Sequence, residues 1–229
     1  MSLHRRPVAG AGFEAELKTN PRRTFLAAFL AVVLFVPLFL YRAVGPLDFW
    51  WWMSANIALL LALCVLLDRN YIPFLLADLR SRAAWKVGLG LLAAGLLYGI
   101  FFAGNGLSRQ ILPFAGAGIS EVYHFKAGAA PLRVIGLLTV IIGPGEELFW
   151  RGFLQRRFQA HFGGLIGWLL AAAVYTVVHA GSGNPMLVLA AAVCGLFWGF
   201  LFLRTKSPLL VAVSHTAWDL AVFIVFPFS

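Results

Sequence analysis

Long apolar runs, each close to the length of a membrane-crossing helix, recur along nearly the whole chain with short polar breaks between them. A helix needs about 20 apolar residues to cross the hydrocarbon core of a bilayer. That ruler predicts seven spans, approximately Thr24 to Tyr41, Phe49 to Leu67, Trp85 to Ala103, Leu132 to Trp150, Leu165 to Ala180, Met186 to Leu203 and Pro208 to Phe226. The fifth is short and needs its flanks. The fourth keeps a helical pattern through Arg157, and a turn is expected at Gly163 and Gly164. The predicted fold class is all-α, a polytopic membrane helical bundle of about seven transmembrane helices. Residues 1–23 read as a cytoplasmic amino-terminal segment and residues 24–229 as one integral membrane domain. The first apolar run has no small-residue cleavage pattern, which favours a retained span over a removed leader.

Composition agrees with this pattern. Hydrophobic residues make up 61% of the chain and charged residues 12%, with a mean hydropathy of +0.86, whereas a soluble domain carries about a quarter charged residues. The formal charge of +9 does not point to nucleic acid, because the basic residues form short clusters between apolar runs without interleaved aromatics. They order the topology instead. Fourteen of the 18 Lys and Arg residues fall on one side: Arg5, Arg6, Lys18, Arg22 and Arg23, then Arg69, Arg80, Arg82 and Lys86, then Arg151, Arg156 and Arg157, then Arg204 and Lys206. Arg42, Arg109, Lys126 and Arg133 fall on the other. Basic loops stay cytoplasmic, so the amino terminus is expected inside and the carboxyl terminus outside, in a bacterial inner membrane. The bilayer is one expected partner, and the pattern implies no particular oligomeric state.

Several features read as structural. Cys64 and Cys194 lie within apolar runs, as buried inert thiols. Trp50, Trp51 and Trp52 suit interfacial anchoring at the outer start of the second span. Gly88, Gly90, Gly95 and Gly99 suit close helix packing. The stretch from Gly104 to Pro131, with Arg109, Glu121, His124 and Lys126, reads as the longest connection, covering the bundle or lying at its surface. His4, His124 and His161 have no motif around them.

The remaining polar residues within the apolar runs are few, and such residues tend to face the bundle interior and serve a function. The fourth run leads into Gly-Pro-Gly-Glu-Glu-Leu-Phe-Trp-Arg-Gly, which carries Glu146, Glu147 and Arg151; the fifth ends with Tyr175 and His179; the seventh contains His215 and Asp219. Residues four apart share a helix face, so each motif is one-sided and the three stripes can converge. Counting back from Gly163 and forward from Gly164 places Glu146 and His179 at nearly the same depth in an antiparallel pair. Two adjacent carboxylates in a poorly hydrated site repel, which suggests divided roles. Glu147 has Arg151 one turn away as a structural partner, and Glu146 remains as a base to activate water.

At these residues the sequence resembles the CPBP family of intramembrane CAAX proteases and bacteriocin-processing enzymes, which includes the Ras-converting enzyme. The family pattern is Glu-Glu-x-x-x-Arg, an aromatic residue four before a His, and His-x-x-x-Asn; this chain has Glu146-Glu147 with Arg151, Tyr175 with His179, and His215 with Asp219. The resemblance covers roughly the carboxyl-terminal half, with a protease-like core in about 132–226. It implies a metal-independent endopeptidase acting on a membrane-associated protein or peptide: a prenylated CAAX tail, a bacteriocin precursor or a carboxyl-terminal sorting segment. Glu146 and His179 would activate water, while His215 and residue 219 would stabilise the oxyanion. Asp219 departs from the Asn form, and an ionised carboxylate donates no hydrogen bond, so orienting His215 is its alternative role.

Three readings compete. Two His with one or two carboxylates suit zinc with an open position for water, although His-Glu-x-x-His is absent; the metal-free reading is preferred and no cofactor is expected. A non-catalytic membrane scaffold or immunity protein would keep the same architecture for stability. A proton-coupled transporter would use buried acids, but no paired halves resemble an internal repeat.

Overall fold

A computed structural model of the protein describes residues 21–228. Most of the expected 1–23 segment, with His4, Arg5, Arg6 and Lys18, lies outside the described residues, as does Ser229. The helices are α1 (Pro21–Tyr41), α2 (Phe49–Leu67), α3 (Tyr71–Arg80), α4 (Ala83–Ile111), α5 (Ala115–Tyr123), α6 (Pro131–Phe162), α7 (Gly164–His179), α8 (Pro185–Thr205) and α9 (Pro208–Val225). No β-strand occurs among the described residues. Local chemistry sets several starts. Asp48 accepts from Trp51 N ahead of α2, Asn184 from Met186 N and Leu187 N ahead of α8, and Ser207 from Leu210 N ahead of α9. These caps satisfy amides with no partner inside the helix, and Pro185 and Pro208 occupy first positions where no N–H is needed.

Among the described residues, six helices are long and apolar enough to cross a membrane. A seventh crossing results if Ala115–Lys126 and Pro131–Phe162, bent by 95° to one another, form one span. The bundle is thus all-α and polytopic, as expected. The fourth expected run extends into α6 through Phe162, beyond Arg157. Gly163, at φ +84°, makes the predicted turn into α7, and a 3₁₀ turn over Ala180–Ser182 lengthens the short α7.

Four expectations are corrected. The supposed connection from Gly104 to Pro131 contains the end of α4, all of α5 and a 3₁₀ turn at His124–Lys126. Of its glycines, Gly118 is a packing site, where a Cβ would lie 2.8 Å from Met186 Cγ. Trp50 is a buried wall residue whose Nε1 donates to the Phe125 carbonyl at 2.9 Å, while Trp51 is exposed as an anchor would be. Of Gly88, Gly90, Gly95 and Gly99 in α4 only Gly90 permits close approach, facing the Leu210 carbonyl of α9; the other three face open space. Arg151, counted with the loop cations, is buried against Glu147.

The up-and-down course of the chain sorts charge to the two ends. At one end Arg23 donates to the Leu67 carbonyl, Asp68 pairs with Arg156 and Arg157, and Lys206 donates to Gln159. At the opposite end Arg42 pairs with Glu121, Arg133 with Asp48, and Lys126 donates to the Phe223 carbonyl. Between them runs a continuous aromatic and aliphatic core including Phe35, Phe39, Trp150, Phe153, Tyr175 and Trp198. Cys64 and Cys194 are buried and unbridged.

Candidate functional site

Helix α6 carries the two glutamates between wide turns. Pro144 has no N–H and crowds the carbonyl four residues before it, and just upstream the ladder widens to π register over Leu138–Ile142, with Gly143 N donating to the Leu138 carbonyl. A second π stretch follows immediately after Glu147, over Leu148–Gln155. The Tyr71 hydroxyl of α3 donates to the Leu148 carbonyl at 2.9 Å, pinning this stretch. π turns of this kind recur at functional sites because they re-aim side chains within a helix.

The adjacent glutamates have different surroundings. Glu147 is fully buried; its Oε1 accepts from Arg151 Nη1 at 2.6 Å and from His215 Nδ1 at 2.7 Å. Arg151 is held by the Gly195 carbonyl and by the faces of Tyr175 and Trp198, with Cζ 4.8 and 5.6 Å from the ring centroids. Glu146 faces a cavity of about 280 Å³, also lined by His179, His215 and Asp219. Its Oε2 lies 3.6 Å from His215 Nε2, and its Oε1 has no protein partner although buried.

The two imidazoles are held differently. His179 Nδ1 lies 2.7 Å from the Tyr175 carbonyl, which can only accept, so that nitrogen carries the proton and, in the neutral ring, Nε2 keeps a lone pair. The rings of Phe39 and Tyr175 flank it at 4.5 and 4.7 Å. His215 stacks on Trp198 with centroids 3.8 Å apart and planes at 23°. Its Nδ1 donates to Glu147, and its Nε2 lies 3.4 Å from Asp219 Oδ2, longer than an ordinary hydrogen bond.

The structure therefore gathers all six sequence-predicted residues, with Glu146, His179, His215 and Asp219 at the cavity and Glu147 and Arg151 behind it. Tyr175 also lines the cavity. The sequence reading missed Trp198, whose Nε1 donates to Ser214 Oγ at 3.2 Å beneath the His215 ring; a tryptophan in an apolar run carries no signal of that duty. Among the described residues no group of three or more His, Cys, Asp or Glu side chains is arranged to hold a metal ion.

Residues 128–221 match the family model of type II CAAX prenyl endopeptidase Rce1-like proteins. This segment is similar to the Rce1-like proteins. The Rce1-like segment contains all six site residues and runs from just before α6 into α9, leaving α1 to α5 outside the match. It is the family that the three motifs resemble. No curated protein and no solved structure matches the chain at a significant level.

Proposed function

We propose that this protein is an intramembrane endopeptidase that hydrolyses a peptide bond of a membrane-associated protein or peptide, with Glu146 and His179 activating the water. One observation carries the reading: buried carboxylate and imidazole groups from α6, α7 and α9, all within the Rce1-like segment, line a single cavity. In this mechanism Glu146 Oε1, which has no protein partner, accepts a proton from water while His179 Nε2 orients the same water. The hydroxide oxygen bonds to the scissile carbonyl carbon, and the C=O pair moves onto oxygen. His215, protonated at both nitrogens, gives Nδ1–H to Glu147 and Nε2–H to that oxyanion, since neither Asp219 nor Glu146 holds Nε2 at normal hydrogen-bond length. The C–N bond then breaks, and the Glu146 proton goes to the leaving amine. The Asp219 carboxylate, with Oδ2 3.4 Å from His215 Nε2, stands beside the imidazolium as a charge partner and leaves Nε2–H to the oxyanion. The step uses no metal.

The apolar walls from Phe39, Phe49, Met53, Ile100 and Val222 suit a lipid-embedded substrate segment. The test compares new protein termini in membranes of cells carrying the wild type or Glu146→Gln. Termini present only with the wild type support proteolysis and name substrates. Identical termini for wild type, Glu146→Gln and His179→Ala would overturn it, and a cellular phenotype retained by Glu146→Gln would assign a scaffold or immunity role.

A further inference from the structure

The cavity belongs to one end of the bundle. Its walls come from the end of α1 (Phe39), the start of α2 (Phe49, Trp50), the end of α4 (Asn105, Ser108), α5 (Val122, Tyr123) and the start of α8 (Met186). All of these lie at the end where Arg42, Arg109, Lys126 and Arg133 are found. Two of those four cations are neutralised by pairing, Arg42 with Glu121 and Arg133 with Asp48. None of the cations of the opposite end lines the cavity.

Toward that strongly basic end the site is closed by a bonded layer. Gln155 Nε2 donates to the Gly199 carbonyl at 2.8 Å, Arg151 Nη2 contacts the Gly195 carbonyl at 3.4 Å, and Trp198 Nε1 reaches Ser214. Every side chain of this layer, with Glu147, is buried. Below it stand Arg22, Arg23, Arg69, Arg80, Arg82, Arg204 and Lys206, all exposed. A lopsided distribution of this kind fixes the basic end in the cytoplasm.

From these two observations we propose that the site opens to the non-cytoplasmic side, so that its substrate is an exported, membrane-anchored polypeptide cleaved at or near the outer leaflet. A lipidated tail in the cytoplasm meets the closed face and is not a substrate. This rests on the endopeptidase reading for the cleavage itself, while the orientation rests on charge and cavity placement alone.

The test has two arms. In a bacterial host, the full chain with Cys64→Ala and Cys194→Ala carries one new cysteine: His124→Cys or Gln110→Cys at the cavity end, or Ser81→Cys at the basic end, all exposed positions. A membrane-impermeant maleimide is expected to label the first two in right-side-out spheroplasts and the third only in inverted vesicles. The reverse pattern overturns the proposal whether or not the protein is a protease. In the second arm, termini lost with Glu146→Gln are expected to belong to exported proteins. Lost termini confined to cytoplasmic polypeptides overturn the substrate class, whereas no lost termini together with the expected labelling overturns the endopeptidase reading and the substrate assignment but leaves the orientation standing.

Discussion

Glu147 Oε1 receives two hydrogen bonds, from Arg151 Nη1 within its own helix and from His215 Nδ1 across the bundle, at 2.6 and 2.7 Å. One carboxylate oxygen thus fixes both the guanidinium behind the site and the imidazole at its edge. Breaking a buried charge pair by removing one partner costs about 3–5 kcal/mol, because the other charge remains stranded. Arg151→Ala is therefore expected to lower the thermal stability of the purified protein in detergent sharply. Glu147→Gln, which keeps the shape and one acceptor, is expected to lose less stability yet still lose turnover as His215 loosens. Stability of Arg151→Ala equal to wild type would refute the clamp.

Trp198 supports the same imidazole from below, stacked at 3.8 Å and tied to Ser214. Trp198→Ala leaves a cavity under His215 and is expected to cost about 3–5 kcal/mol. Trp198→Phe keeps a stacking face and loses only the Ser214 bond, so it is expected to retain most stability and a measurable share of activity. Equal loss in both variants would place the importance of Trp198 in its N–H and not in its ring.

What the sequence disclosed and what it hid follow from one physical distinction. Polar residues inside apolar runs are conspicuous because burial in lipid is costly, so Glu146, Glu147, His179, His215 and Asp219 stood out, and their four-residue spacing gave the correct helix faces. The π stretches were hidden, since Leu138–Ile142 and Leu148–Gln155 are composed of residues that suit any helical register. Helix α5 was hidden by its glycines, which read as loop until Met186 is seen packed against Gly118. Helix α3 was legible in principle: Ile72, Leu75, Leu76 and Leu79 follow the helical period, but ten residues fall below the length of a span.

The last turn of that helix carries Asp78, whose carboxylate joins three elements. It accepts from Lys86 Nζ at 2.5 Å, from Ser207 Oγ at 3.0 Å and from Leu209 N at 2.9 Å, so it holds the first turn of the helix that carries His215. Asp78→Asn strands the buried Lys86 ammonium and is expected to destabilise the protein and speed hydrogen exchange at Leu209 and Leu210. Adding Lys86→Met is expected to restore part of the stability, since no charge is then left unpaired. Additive losses would show that the two side chains act independently.

In the proposed mechanism the acid, the base and the oxyanion donor are all side chains of this chain. Cleavage by the purified protein is therefore expected to survive dialysis against a strong chelator, with no gain on adding zinc. Loss on chelation with recovery by zinc would replace the Glu146 and His179 mechanism by a metal-bound water.

Glycines set the distance between the helices that carry the groups assigned to the proposed reaction. A Cβ at Gly143 would stand 2.5 Å from Thr216 Oγ1 and 3.0 Å from Thr216 Cα, so alanine there pushes α6 away from α9 next to His215. At Gly145 the added methyl would meet Ile57 Cγ2 at 2.4 Å, pressing on α2 instead. Overpacking of this kind costs about 1–3 kcal/mol, but the two substitutions are expected to differ in consequence. Gly143→Ala should lose activity out of proportion to stability, because the Glu147–His215 bond spans the contact it widens; Gly145→Ala should lose stability with a smaller effect on turnover. Gly136→Ala serves as the control in the same helix, where a methyl meets nothing within 4 Å and alanine favours the helix by about 0.5–1 kcal/mol. If Gly143→Ala keeps full turnover, the separation of α6 and α9 does not set the geometry on which the proposed hydrolysis depends.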